Sequence, residues 1–286
     1  PRGPGMKLGW ISDLAVGADG GGSQAWSRQE EVLAALSVGA PPDIINRQGQ
    51  NWGISAFSAW GLKANGYRAF IEMVRANLAH AGGMRIDHVM GLMRLWVMPS
   101  GAGPKEGAYL NYPFDDLLRL LSLEAWRRNA VILGEDLGTV PEGLREKLAD
   151  RGLLGMRVLF FERDNEGNFT PPMQWPRSAL ATSTTHDLPT INGWWQSHDI
   201  DWRNRVGQNQ EDERPQQLEE RERERTGLLR LLREYAPDVE GDLTDPEALA
   251  NACAAFLGRT PAPLVLFPVE DALCLLEQPN MPGIVD

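Results

Sequence analysis

Cysteine is scarce in this sequence. Cys253 and Cys274 are the two present in 286 residues, and their spacing matches no zinc pattern. Two thiols make no disulfide framework, so a reducing compartment, the cytoplasm, is the expected setting. Long apolar runs are also lacking. No stretch of about 18 apolar residues occurs, so no transmembrane helix and no membrane partner are expected. No secretory leader is visible. Positive charge is in deficit, with 28 lysines and arginines against 39 acids and a net charge of −11. A nucleic-acid binder carries a basic stripe, and none is found. The acidic balance suits an enzyme with a neutral or cationic ligand but selects no function. No Gly-rich phosphate loop follows the first strand-like run, which weakens a nucleotide-binding reading. The first residue is not Met, and the last segment, MPGIVD, closes no helix. The expectation is a piece of a longer protein, cut at both ends.

What is present is a recurring alternation of apolar run and amphipathic helix. Hydrophobic residues make up 42% of the chain, enough for one barrel-sized domain or two smaller ones. KLGWISDLAVG (7–17) reads as a strand ending in an acid and a glycine. A Gly-, Pro- and Asn-rich loop is expected over 37–53. Residues 67–81 place Phe70, Ile71, Val74 and Leu78 on one helical face, and Gly82 and Gly83 end that helix. A strand follows at Met84. The next helix holds Leu117, Leu118, Leu121 and Leu123, with Trp126. AVILGED (130–136) is a strand, and TVPE (139–142) reads as a capping box opening a short helix. MRVLFFE (156–162), ALATSTTHD (179–187) and PLVLFPVED (263–271) are further strand candidates. The charged stretch at about 200–236 is expected to be a solvated helix pair. Such alternation implies an α/β fold. Both a closed (β/α)8 barrel and an open doubly wound sheet fit.

Polar residues gather at the predicted strand ends: Asp13, Asp87, Glu135 and Asp187. Barrel enzymes draw catalytic groups from that position. Convergent acids serve either hard-metal binding or glycosyl transfer. Arg85 lies two residues before Asp87, so both face the same side of the strand. A fixed cation there disfavours a metal and keeps the acid ionised, as a nucleophile requires. Glycosyl transfer also needs aromatic platforms, and Trp52, Trp96, Trp194 and Trp195 flank these motifs. Each motif has a plainer reading. Arg85–Asp87 alone fits a buried ion pair, Glu135-Asp136 a helix cap near Thr139, and His186-Asp187 a turn. Their joint occurrence favours a site.

GMRIDHVMGLMRLWVMP, GEDLGTVP and STTHDLPT resemble the 4-α-glucanotransferases, or amylomaltases, glycoside hydrolase family 77 of the α-amylase clan. GAPPDIINRQGQNWG, GAYLNYPFDDLL and LFPVEDALCLLEQPNMPG extend the resemblance over nearly the whole chain. It implies a (β/α)8 barrel that lacks its N-terminal strands here, as one partial catalytic domain over 1–286 with the charged helical insertion. It implies retaining double displacement, with Asp87 as nucleophile, Glu135 as general acid/base and Asp187 as the third acid. Arg85 and His186 match residues flanking the bound sugar. Asp43, Gln50 and Trp52 match sugar contacts of the long loop, and Asn280 a residue near the acceptor side. The implied partners are α-1,4-glucans, maltooligosaccharides and the missing part of the same chain. No cofactor or metal is implied. Arg85 is expected to hold Asp87 low, and Glu135 to rise beside ionised Asp87. An α-glucan hydrolase, a non-catalytic glucan binder and a metal-dependent hydrolase are the competing readings. The 286-residue piece alone is expected to be inactive or poorly folded.

Overall fold

A computed structural model describes residues 5–42, 48–208 and 213–282. The chain divides into two compact units, Pro1–Gly155 and Met156–Asp286. In the first, the elements run β1 (Ile11–Leu14), β2 (Ala18–Asp19), α1 (Ser23–Ser27), β3 (Leu36–Ala40), β4 (Gln50–Ser55), α2 (Ala59–Ala64) and α3 (Arg68–Leu78). They continue with β5 (Gly83–Ile86), β6 (Arg94–Pro99), β7 (Ala108–Asn111), α4 (Phe114–Arg128), β8 (Val131–Gly134) and α5 (Leu144–Asp150).

β1, β5 and β8 form a parallel sheet in that order. The helical face expected at 67–81 materialises as α3, with Phe70, Val74 and Leu78 buried and Ile71 only partly so. It packs with Leu117, Leu118 and Leu121 of α4 over Met84 and Ile86 of β5. Each fully buried side chain of this kind contributes roughly 1.5–3 kcal/mol. Leu123 and Trp126 lie on the exposed side of α4. The capping box expected at TVPE does not form. Helix α5 starts later, at Leu144, after a left-handed Gly143 with no side-chain cap.

The expected 37–53 loop is also corrected. Its flanks are β3 and β4, part of a five-stranded sheet ordered β2-β4-β3-β6-β7. Ala40 pairs with Gln50, and the register shifts between Val38 and Gly39. Glycine is required at that shift, because a Cβ on Gly39 would lie 1.9 Å from the Gln50 carbonyl oxygen. The glycine that reads as a loop signal is therefore a close-approach site within a strand.

The second unit contains β9 (Gly155–Val158), which starts at the unit boundary, β10 (Ala179–Thr182), α6 (Ile191–Trp195), α7 (His198–Arg205) and α8 (Arg214–Tyr235). It ends with α9 (Pro246–Leu257), β11 (Leu264–Leu266) and α10 (Val269–Ala272). The strands are ordered β11-β10-β9, with β10 and β11 parallel. The charged stretch does form helices, α7 and α8. A buried bidentate pair joins them, Arg221 donating to Asp199 at 2.8 and 2.9 Å. Leu228, Leu231 and Leu232 of α8 pack with Leu249, Cys253 and Phe256 of α9. Trp194 belongs to this core, stacked on Phe160 at 4.6 Å, so it is no sugar platform. Among the described residues, no helix is long and apolar enough to cross a membrane.

Candidate active site

The first unit brings five of the expected groups together. The register sets Asp13 opposite Arg85 and Ile86 opposite Gly134. Asp87 and Glu135 are therefore next in line on neighbouring parallel strands. The ladder continues past both, with the Asp87 amide donating to Leu14 O and the Glu135 amide to Ile86 O, each at 2.9 Å. Adjacent strands lie about 4.7–4.9 Å apart, compatible with the carboxyl separation of about 5–5.5 Å that retaining chemistry uses.

Arg85 bridges two aspartates. Its Nη1 donates to both Asp13 oxygens, at 2.7 and 2.9 Å, and its Nη2 lies 2.8 Å from Asp87 Oδ1. The Arg85 side chain is 15% exposed and that of Asp87 41%. Burial works against the guanidinium charge, but Asp13, Asp87 and Glu135 together outweigh it and raise the Arg85 pKa. A guanidinium thus stands where a metal ion would need to sit between these acids.

Glu135 is held differently. Its Oε2 accepts the His88 amide at 2.9 Å and its Oε1 the Leu137 amide at 2.6 Å. Burial pushes its pKa above the ordinary carboxylate range, and the two amides pull it back. Asp87 adds to the rise and Arg85 opposes it. The sequence attributes the rise to Asp87; the larger cause is desolvation. Asp136 does not cap a helix at Thr139, and instead accepts from Arg145 Nε of α5 at 2.6 Å.

His88 follows Asp87 in a left-handed conformation, φ 47° and ψ 61°. Its ring meets Trp52 edge-on, with centroids 5.3 Å apart. Gln50 and Trp52 alternate along β4 onto one face, and the Trp52 indole donates to Gln50 Oε1 at 2.8 Å. Asp87 and His88 also border an apolar cavity of about 70 Å³, lined by Leu14, Phe57, Phe70, Met73 and Tyr112 among others. Burial there lowers the His88 pKa, and Asp87 partly offsets the effect. Asp43 lies outside the described residues.

The second unit gathers three more. Asn280 Nδ2 donates to Asp187 Oδ1 at 2.5 Å, and its amide donates to His186 O at 3.0 Å. His186 Nε2 lies 3.3 Å from Asp187 Oδ2. Asp187 sits beyond the end of β10, in the turn before α6, rather than directly on the strand end. A strap from Asp271 to Asn280 supports this group. Buried Asp271 accepts from Ser183 Oγ at 2.5 Å and from the Ile191 amide at 2.7 Å. Thr190 Oγ1 donates to Leu275 O at 2.7 Å. Glu277 accepts from Trp202 Nε1 at 2.8 Å and pairs with His198 at 2.9 Å. From sequence, His88 fits only a packing or supporting role, and Asp271 and Glu277 carry no assigned role. Asp13 was visible as a strand acid, but its link to Arg85 depends on strand register.

Parallel strands with acids at neighbouring ends, one ion-paired and one partly buried on amides, match the arrangement found in carboxylate-bearing α/β-barrel enzymes. Comparison with known proteins narrows that class. The chain belongs to the 4-alpha-glucanotransferase family, whose model matches residues 2–286. It is 37% identical over 286 residues to the 4-alpha-glucanotransferase of Mycobacterium tuberculosis, covering 99% of this chain and 39% of that relative. It is 39% identical over 258 residues to that of Haemophilus influenzae, covering 89% of this chain and 36% of the relative. The crystal structure of amylomaltase from Corynebacterium glutamicum matches with a TM-score of 0.88 and 32% identity, over 98% of this chain and 41% of that one. Amylomaltase from Streptococcus agalactiae, solved in complex with acarbose, matches in fold, with a TM-score of 0.74 at 20% identity. The fold is thus the α/β-barrel type of the amylomaltases. The chain spans well under half the length of these curated relatives, 39% and 36%.

Proposed function

We propose that this chain carries the catalytic acids of a 4-α-glucanotransferase. The enzyme moves a segment of an α-1,4-glucan to the 4-hydroxyl of glucose or another glucan, with retention. In the first step the Asp87 carboxylate attacks the anomeric carbon of the donor sugar. The glycosidic C–O bond breaks, and Glu135 gives its proton to the departing oxygen. A glycosyl ester on Asp87 results. In the second step the acceptor hydroxyl loses its proton to Glu135 and attacks the same carbon, and the ester bond returns its electrons to Asp87. Asp187 holds sugar hydroxyls and steadies the oxocarbenium-like transition state. Arg85 and His186 flank the sugar, Asp43, Gln50 and Trp52 contact it, and Asn280 serves the acceptor side. Residues 1–286 act as part of one catalytic barrel domain, in the cytoplasm, on maltooligosaccharides and longer glucans.

The observation that carries this reading is the contrast between two neighbouring carboxyls. Asp87 is ion-paired to Arg85, which suits an ionised nucleophile. Glu135 is partly buried, with a raised pKa, which suits a proton donor.

The test uses the full-length protein and maltotriose. Transfer is expected to yield glucose and longer chains with little net gain in reducing ends. Steady release of reducing ends would identify a hydrolase instead. Asp87→Ala is expected to abolish turnover, and activity within about tenfold of the parent would remove Asp87 as nucleophile. Glu135→Gln is expected to slow glucans by roughly 100-fold or more while sparing donors with an activated leaving group.

A further inference from the structure

We propose that His88 is a positioning residue that couples the Trp52 platform to the Glu135 carboxyl. Its backbone presents an amide to Glu135, and its ring meets the edge of Trp52. The inference rests on the acid/base role proposed for Glu135.

Three consecutive amides show how the backbone achieves this. Asp87 N–H still bonds across the sheet to Leu14 O. His88 N–H turns instead to Glu135 Oε2 at 2.9 Å. Val89 N–H then bonds to Glu135 O, also at 2.9 Å. The left-handed step at His88, φ 47°, turns the chain so that the following amide, that of Val89, reaches Glu135 O while the His88 amide serves the side chain. Two successive residues thereby hold the main chain and the carboxyl of one glutamate. Gly134 makes room for this turn. A Cβ there would lie 2.9 Å from Val89 Cγ2.

The backbone geometry alone does not call for histidine. Glycine or asparagine adopts the left-handed region at lower cost. The ring therefore needs its own reason, and the aromatic contact it makes is with Trp52, at 5.3 Å and 71° between planes. The Trp52 indole N–H is itself held by Gln50 Oε1. One residue thus touches a sugar platform with its side chain and a proton donor with its backbone. The imidazole supports the Trp52 platform, and the left-handed backbone of the same residue aims Glu135.

The two functions separate by substitution in the full-length protein. His88→Val opposes the left-handed backbone, whereas His88→Asn permits it and removes the ring. Two donors report on Glu135: maltotriose, whose leaving oxygen needs a proton, and α-maltotriosyl fluoride, whose fluoride leaves with little acid help. His88→Val is expected to lower kcat on maltotriose about 100-fold and on the fluoride only a few-fold. His88→Asn is expected to keep kcat within about threefold but raise KM for maltotriose about fivefold. That KM effect is expected to be non-additive with Trp52→Ala. Equal slowing of both donors by His88→Val, or a parental KM in His88→Asn, would overturn the proposal. Should His88→Val not fold, His88→Ala carries the same donor comparison. Glu135→Gln runs beside them as the control. If it shows no donor selectivity, the acid/base reading fails. If it is selective and the His88 variants are not, the coupling alone fails.

Discussion

Glu135 and Asp87 are acids that follow the same register pair, Ile86 and Gly134, on neighbouring strands, yet they are held in opposite ways. Burial is the main reason that Glu135 is displaced upward, and the Asp87 charge is a smaller one. The raised folded-state value favours the protonated form. The resulting contribution to stability is complete below the unfolded pKa and is lost as pH rises through the folded pKa. The alkaline limb of kcat/KM is expected to follow the same titration, because the first step needs Glu135 protonated. Asp87→Asn is therefore expected to lower the Glu135 pKa without returning it to the ordinary carboxylate range. Titration of the carboxyl carbon by NMR checks this, and a full return would make Asp87 the dominant cause. At this scale the sequence was informative where chemistry depends on neighbours along the chain. Arg85 and Asp87, two apart, read correctly as a pair. The share of Asp13 in that pair, 72 residues away, and the amide of His88 on Glu135 depend on register and turn geometry, which composition does not encode.

Among the elements, the strap from Asp271 to Asn280 is the most consequential support for Asp187. Asp271 pairs two donors from other segments, Ser183 Oγ and the Ile191 amide. Removing the carboxylate leaves both without this partner, and each unsatisfied buried group costs about 1–3 kcal/mol. Asp271→Ala is accordingly expected to destabilise by roughly 2–5 kcal/mol, and Asp271→Asn, which keeps one acceptor, by about half as much. Urea unfolding of the full-length protein measures the difference. A loss below about 1 kcal/mol for the alanine variant would show that the strap is held elsewhere. The elements themselves were unevenly legible. Helix α3 and strands β5 and β8 were foreseen because their apolar periodicity is local. The β3–β4 pair reads as a loop from sequence because glycine in a strand and glycine in a turn look alike until the partner backbone is known. Helix α9 is poorly marked in the sequence, although Asp245 caps it and Pro246 occupies its first turn. Its apolar face is nearly continuous, as suits a core helix, so it lacks an amphipathic contrast. TVPE satisfied a capping pattern, but the chain starts its helix only after the left-handed Gly143.

At the scale of the molecule, strand edges carry the last expectation. Within the described residues, β1 is an outer strand of its sheet and so is β11. Both edges also present apolar side chains. Trp10, just ahead of β1, is 71% exposed, and Val265 and Leu266 of β11 are 45% and 44% exposed. Unpaired edges with apolar side chains recruit further strands, and closure of a barrel removes such edges. The amylomaltase from Corynebacterium glutamicum is more than twice as long as the matched segment, which covers 41% of that chain. The 286-residue chain expressed alone is therefore expected to self-associate, with apparent mass rising with concentration in light scattering. Val265→Lys, which places a charge on the β11 edge, is expected to reduce that association. A monodisperse monomer with a cooperative thermal transition that also disproportionates maltotriose would show that these edges are protected without the remainder of a barrel.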